Sequence, residues 1–203
     1  MTDNENILDS PFDPSPFIQF EAWYKEHLSS NIPIPDAVSL STATKNGHVS
    51  NRTILLKDYN ERGFTFFTNY NSRKGKQLLS NNKAALLFYW PESGRQVRVE
   101  GVSGKISDED SFAYFRSRPR ESQIAAWASE QSSVIADRAY LLSMYNFYNN
   151  KFKGIDVERP PHWGGFRIVP FWFEFWQDRE YRLHDRICYI LTFNGWKMER
   201  LAP

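Results

Sequence analysis

Cysteine occurs once in the 203 residues, as Cys188. A single thiol forms no intrachain disulfide and builds no thiolate metal centre. The four histidines, His27, His48, His162 and His184, are scattered without metal-ligand spacing. No apolar run nears the length that spans a bilayer, and no secretory leader pattern is present. These absences lead us to expect a cytoplasmic, reducing location and no membrane partner. An excess of either charge is missing too: 25 Lys and Arg balance 24 Asp and Glu, for a formal net charge of +1. With no global field to draw nucleic acid or anionic lipid, any anion recognition has to be local. No GxGxxG follows a first strand, which argues against a Rossmann dinucleotide site. No nucleophile elbow, paired metal ligands or cysteine nucleophile supports hydrolysis.

Aromatic residues, by contrast, reach 16%. That share suits a site lined by rings, or a large interface, in addition to a core. The length fits one domain, 1–203. Residues 1–16 read as a flexible arm, being polar and acidic with Pro11, Pro14 and Pro16 and no arginine before Arg52. A first helix is expected from Ser15 to about Leu28, with Phe17, Phe20, Trp23 and Tyr24 on one stripe. Strands are expected over Ala37–Thr42, Val49–Lys57, Phe64–Thr68, Lys83–Trp90, Arg95–Ile106, Phe166–Trp176, Leu183–Phe193 and Trp196–Leu201, with turns at Asn46-Gly47 and Asn194-Gly195. A short helix follows Ser72, another follows the cap at Ser107, one starts at Pro119, and one runs from Ser133 to about Phe152. Closely joined strands pair antiparallel. The pattern is mainly β with α: an antiparallel barrel or sandwich with inserted helices, not a βαβ array.

Two basic segments stand where helices begin, Ser72-Arg73-Lys74-Gly75-Lys76 and Arg118-Pro119-Arg120-Glu121-Ser122. A helix N-terminus is already positive, so a cation there is unfavourable by about 0.3–1 kcal/mol. A bound phosphate reverses the sign. The segments are therefore either two anion sites or two patches of solvated charge. A third group is Arg182-Leu183-His184-Asp185-Arg186. Were it a strand, Arg182, His184 and Arg186 would share one face. That face would suit an anion or an electron-rich ring, or it would be a charged sheet edge. Chains with few acid–base residues and elaborate phosphate grips usually delegate chemistry to a cofactor.

Several blocks, taken in order, resemble the pyridoxine (pyridoxamine) 5′-phosphate oxidase family. They are Arg52-Thr-Ile-Leu-Leu-Lys57, Phe67-Thr68 with Ser72-Arg73-Lys74, Arg95-Gln96-Val97-Arg98-Val99-Glu100-Gly101, and Ser117 to Ile124. Further along come Gln131-Ser132-Ser133, Trp163-Gly164-Gly165-Phe166-Arg167, Phe175-Trp176-Gln177, Arg182 to Arg186, and Arg200-Leu-Ala-Pro203. Together they cover roughly Phe20 to the C-terminus. The resemblance implies an FMN-binding, antiparallel Greek-key split β-barrel with peripheral helices, and a homodimer with FMN at the subunit interface.

By the same resemblance, FMN is held by Arg52, Lys57, Phe67, Thr68, Arg73, Lys74, Gln96, Gln131, Ser132, Trp176 and Arg186. The substrate phosphate is held by Lys57, Tyr114, Arg118 and Ser122, while Arg182 and His184 contact the pyridine ring and form the catalytic pair. The implied reaction oxidises pyridoxamine 5′-phosphate or pyridoxine 5′-phosphate to pyridoxal 5′-phosphate, with O2 as acceptor and H2O2 released. Three departures stand out. The N-terminal segment is short, acidic and free of arginine, so no substrate contact is assigned to it. Phe67 stands where many relatives have tyrosine. Asp178-Arg179 replaces a glycine-containing turn. The alternatives are a flavin oxidase acting on another aromatic substrate of phenazine type, and a non-catalytic FMN- or pyridoxal-phosphate-binding protein. A nucleic-acid-binding barrel is disfavoured by the near-zero charge and the lack of a basic stripe.

Overall fold

Alternating inward and outward residues build the sheet. In the strand β1 (Ala37–Ala43), Val38, Leu40 and Thr42 are buried while Ser39 and Ser41 are not. The Asn46-Gly47 turn leads into β2 (Val49–Leu55), which pairs with β1 from Ala37↔Leu55 to Ala43↔Val49. The remaining strands are β3 (Asp58–Asn60), β4 (Gly63–Asn69), β5 (Lys83–Trp90), β6 (Arg95–Lys105), β7 (Trp163–Gln177), β8 (Asp185–Thr192) and β9 (Gly195–Arg200). The computed structural model describes residues 12–30 and 32–203.

Every pairing is antiparallel, in the order β2-β1-β5-β6-β7-β4-β3, with β8 on β7 and β9 on β8. β7 is the hinge of the architecture. Its first part pairs with β4, its last part with β8, and β6 follows it throughout. The register slips by one residue where Glu100 faces Trp172 and Gly101 faces Pro170. Pro170 has no N–H to donate, and a bulge tolerates it. Gly101 is required there, because a Cβ would sit 2.5 Å from the Val169 carbonyl oxygen. The result is the split-barrel fold expected from the sequence.

The helices are α1 (Pro16–Ser29), α2 (Arg73–Ser80), α3 (Asp108–Ser117), α4 (Arg120–Ala128) and α5 (Arg138–Lys151). The expected α1 stripe lies over the open sheet face. Phe20 is fully buried, with ring centroids 4.8 Å from Phe88 and 4.9 Å from Phe64. Burying such a side chain contributes about 1.5–3 kcal/mol. A second, smaller core of Phe115, Ile124, Phe152, Val157 and Trp163 lies beneath the helices. Cys188 is a buried strand residue.

Most of the expected arm, residues 1–11, lies outside the described residues. Its last part is seated rather than free. Phe12 packs on Trp23 and Phe175, and the Tyr189 hydroxyl donates to the Asp13 carbonyl at 2.7 Å.

β7 starts at Trp163 rather than Phe166, the short β3 was not expected, and three further boundaries differ. The helix expected from Ser133 starts at Arg138, because the Asp137 carboxylate caps it by accepting from the Tyr140 N–H at 2.7 Å. β2 stops at Leu55, so Lys57 lies between β2 and β3, outside both strands. The strand expected from Leu183 starts at Asp185: Tyr181 and Arg182 are left-handed, with φ of 58° and 61°, and form a short 3-10 turn. Arg182, His184 and Arg186 therefore do not share a strand face. No helix among the described residues is long and apolar enough to cross a membrane.

Candidate functional site

A cavity of about 500 Å³ opens between the end of β2, β4, the first turn of α2 and the α3–α4 corner. It gathers Lys57, Phe67, Thr68, Lys74, Tyr114, Arg118, Ser122 and Gln131, all expected site residues that are far apart in sequence. Among the described residues, no cluster of His, Cys, Asp and Glu is arranged to hold a metal ion.

One corner of the site is cationic. Ser72 caps α2, its hydroxyl accepting from the Gly75 N–H at 3.2 Å. Gly75 lets the first turn press against the preceding chain, since a Cβ would meet the Tyr70 carbonyl oxygen at 2.3 Å. Lys74 Nζ donates to Thr68 Oγ1 and Gln131 Oε1, both at 3.1 Å, and Thr68 Oγ1 donates to Gln131 Oε1 at 3.0 Å. Arg52 on β2 reaches toward the same helix and donates to Gln77 Oε1 at 3.3 Å. Burial, and then the Arg52 charge, push the Lys74 pKa down. Burial, and then the Arg73 charge, do the same to Arg52. Among the described residues, no ion pair involves Arg52, Arg73 or Lys74. Three cations gathered at a capped helix start without a carboxylate suit a phosphate dianion.

Arg118 forms the second corner. It precedes Pro119 in extended geometry, φ −75° and ψ 148°, as the proline requires. Its guanidinium lies 4.7 Å from the Trp163 ring centroid. Nη1 is buried with no hydrogen-bond partner among the described residues. Burial lowers its pKa, and Tyr114 opposes the shift. A buried guanidinium nitrogen without a partner is costly unless an anion fills the space. Ser122 sits in the first turn of α4 beside it. One wall of the cavity is a stack of parallel rings. Phe67 lies 3.9 Å from Tyr114 at 14° and 5.4 Å from Trp163 at 11°. Lys57 lines the mouth, with its ammonium paired to Asp36.

The other expected residues lie elsewhere on the protomer. Gln96, Trp176 and Arg186 face one another across β6, β7 and β8, and the His184 ring is 4.6 Å from Trp176. Arg186 donates to Glu174 Oε2 at 2.7 Å and to the Ala202 carbonyl at 2.8 Å. Arg182 stands on the left-handed turn. Ser132, also left-handed at φ 73°, lines a different cavity from its neighbour Gln131. One protomer thus brings together the phosphate-gripping residues, but not the group on β6–β8. The sequence reading assigned no role to Trp163, Gln77, Thr42 or Glu174. Trp163 lay within a quoted block; Glu174 was legible only as a charge inside an apolar strand.

The chain matches two family models: Pyridoxamine 5′-phosphate oxidase over residues 24–143, and Pyridoxine 5′-phosphate oxidase C-terminal dimerisation region over residues 163–203. It is 46% identical over 200 residues to a pyridoxine/pyridoxamine 5′-phosphate oxidase of a Nostoc species, covering 98% of this chain and 94% of that protein. The protein of the same name from Burkholderia mallei is 52% identical over 193 residues, covering 94% and 90%. Among solved structures, PhzG from Burkholderia lata, in complex with tetrahydrophenazine-1-carboxylic acid, matches with a TM-score of 0.89. The identity there is 29%, over 97% of this chain and 100% of that one.

Proposed function

The chain belongs to the pyridoxamine 5′-phosphate oxidase family, whose members are FMN-dependent oxidoreductases, and we propose that it oxidises pyridoxamine 5′-phosphate and pyridoxine 5′-phosphate to pyridoxal 5′-phosphate. The observation that carries this reading is the pair of anion-ready corners, the counter-ion-free Arg52, Arg73 and Lys74 and the unpartnered Nη1 of Arg118. Two phosphorylated ligands fill two such corners.

FMN, when bound, supplies a two-electron acceptor that O2 regenerates with release of H2O2. Arg52, Arg73 and Lys74 would hold its phosphate, with Lys57, Thr68 and Gln131 beside them; Ser132, which lines a neighbouring cavity, is not brought to this corner. Arg118, Ser122, Tyr114 and Lys57 hold the substrate phosphate. Fixing both phosphates orients the two planar rings, which turns an encounter into a positioned reaction. A second copy of the chain would bring Arg182 and His184 to the pyridine ring, where a fixed cation favours the polarised form. The alcohol substrate yields pyridoxal 5′-phosphate and H2O2 from one O2. The amine substrate consumes one water as well and releases ammonia.

Lys57 has to exchange Asp36 for a phosphate oxygen in this scheme. The match to a dimerisation region over residues 163–203 supports a homodimer. In that dimer, a partner protomer brings Gln96, Trp176 and Arg186 to the flavin gripped by the first. A cytoplasmic location is part of the same reading.

The likeness to PhzG favours a second reading, oxidation of an aromatic carboxylate that lacks a phosphate. The test compares phosphorylated and dephosphorylated B6 vitamers as substrates. Strong preference for the phosphates supports the proposal, whereas equal use of both, or activity on a phenazine precursor alone, supports the second reading.

A further inference from the structure

Arginines buried in proteins are commonly neutralised by a carboxylate. Arg52 is held differently. Its Nη1 donates to the Leu40 carbonyl at 3.1 Å and to Thr42 Oγ1 at 2.6 Å, and its Nη2 donates to Gln77 Oε1 at 3.3 Å. All three acceptors are uncharged. The Thr42 hydroxyl, having accepted from Arg52, donates a hydrogen bond to Gln77 Oε1 at 2.6 Å. Gln77 Nε2 donates to Ser50 Oγ at 3.2 Å. The guanidinium fixes the amide: a flipped Gln77 would set its NH2 against a group that can only donate. Thr42 and Gln77 are buried, with 2% and 4% of their surface exposed. Gln77 also lies four residues after Arg73 on α2, one turn below the cationic corner and on its side of the helix.

We propose that Gln77 is a positioning residue of the phosphate grip: with Thr42, it fixes the Arg52 guanidinium through neutral acceptors, so that the whole charge of the arginine is left for the phosphate of the cofactor. The inference rests on the reading of Arg52, Arg73 and Lys74 as the FMN phosphate grip. A carboxylate at position 77 would hold the guanidinium as firmly but cancel its charge. A purely structural role makes the opposite demand, because a carboxylate there would hold a half-buried arginine at least as well as an amide does.

Gln77→Glu separates the two. The apoprotein and the flavin-loaded dimer are prepared for wild type and variant, and thermal unfolding of the apo form is measured alongside titrations with FMN and with riboflavin, which lacks the phosphate. We expect the apo variant to melt no lower than wild type. Its FMN Kd should rise about tenfold or more, the worth of one charge-assisted contact. Its riboflavin Kd should change less than about twofold, since that ligand makes no phosphate contact. FMN binding within about twofold of wild type overturns the inference, as does an equal loss of FMN and riboflavin affinity. If the glutamate variant does not fold, Thr42→Val removes one neutral acceptor instead. It should weaken FMN about two- to tenfold and spare riboflavin, and unchanged FMN affinity overturns the inference. Wild-type protein that binds FMN no tighter than riboflavin refutes the phosphate grip itself, and the role of Gln77 with it.

Discussion

Glu174 accepts a hydrogen bond from Arg186 at 2.7 Å, Nη2 to Oε2, across the β7–β8 pair, and its carboxylate is almost wholly buried. Arg98, directly opposite on β6, approaches the same oxygen at 3.4 Å. One buried carboxylate thus pairs with two guanidinium groups, and Arg98 has a second, closer partner in Glu100 at 3.2 Å. Removing one partner of a buried pair leaves an uncompensated charge and typically costs about 3–5 kcal/mol. Glu174→Ala is expected to cost about 1–3 kcal/mol, less than a fully buried pair because both arginines keep access to solvent, measured by denaturant unfolding of the apo form. A loss under about 1 kcal/mol, the worth of a surface pair, would show that the pair is solvated.

Arg118 tests the second corner. Arg118→Ala removes a guanidinium whose Nη1 has no partner among the described residues. Its folding stability should therefore change little beyond the lost packing on Trp163. Its KM for pyridoxamine 5′-phosphate should rise about 10- to 100-fold, the worth of one or two charged hydrogen bonds. Steady-state kinetics check this, and an unchanged KM would remove Arg118 from the substrate site.

Lys74 gives a pH-dependent prediction. Burial, then Arg52, hold its pKa below 10.5, so the unfolded chain keeps the proton to higher pH than the folded one. The penalty is fully present below the folded pKa. It is relieved as pH rises from that value toward 10.5, so this residue makes stability climb with pH in that window. Lys74→Met should remove the penalty. The apo variant is expected to melt at or above wild type at neutral pH while its FMN affinity falls. A variant that melts lower and binds FMN normally would contradict the assignment.

Arg182 occupies the left-handed turn before β8 and makes no hydrogen bond to the phosphate corners. Arg182→Ala should leave the FMN content of the purified protein unchanged and lower kcat at least about tenfold, as loss of a transition-state contact does. Equal loss of FMN content and turnover would make it a cofactor residue instead.

Much of the fold was legible because its signals are local. Alternation marked the strands, Asn-Gly pairs marked two turns, and the helix caps at Ser72 and Ser107 stand where the sequence placed them. The Ser72 and Arg118 segments could be read as anion sites because cations at helix starts conflict with the dipole. The turn at Tyr181–Arg182 was hidden: neither residue favours positive φ, so nothing local announces a left-handed pair. The start of α5 was missed because the Asp137 cap outcompetes the helix-compatible residues before it. The cradle of Arg52 depends on contacts between β1, β2 and α2, distant in sequence, which only the assembled sheet brings together.

The central claim is that this chain oxidises phosphorylated B6 vitamers with O2. The most direct measurement is an aerobic assay of the FMN-loaded protein with pyridoxamine 5′-phosphate, following pyridoxal 5′-phosphate and H2O2 together. Both products should form in equal amounts. A yellow, FMN-binding protein that forms neither would contradict it.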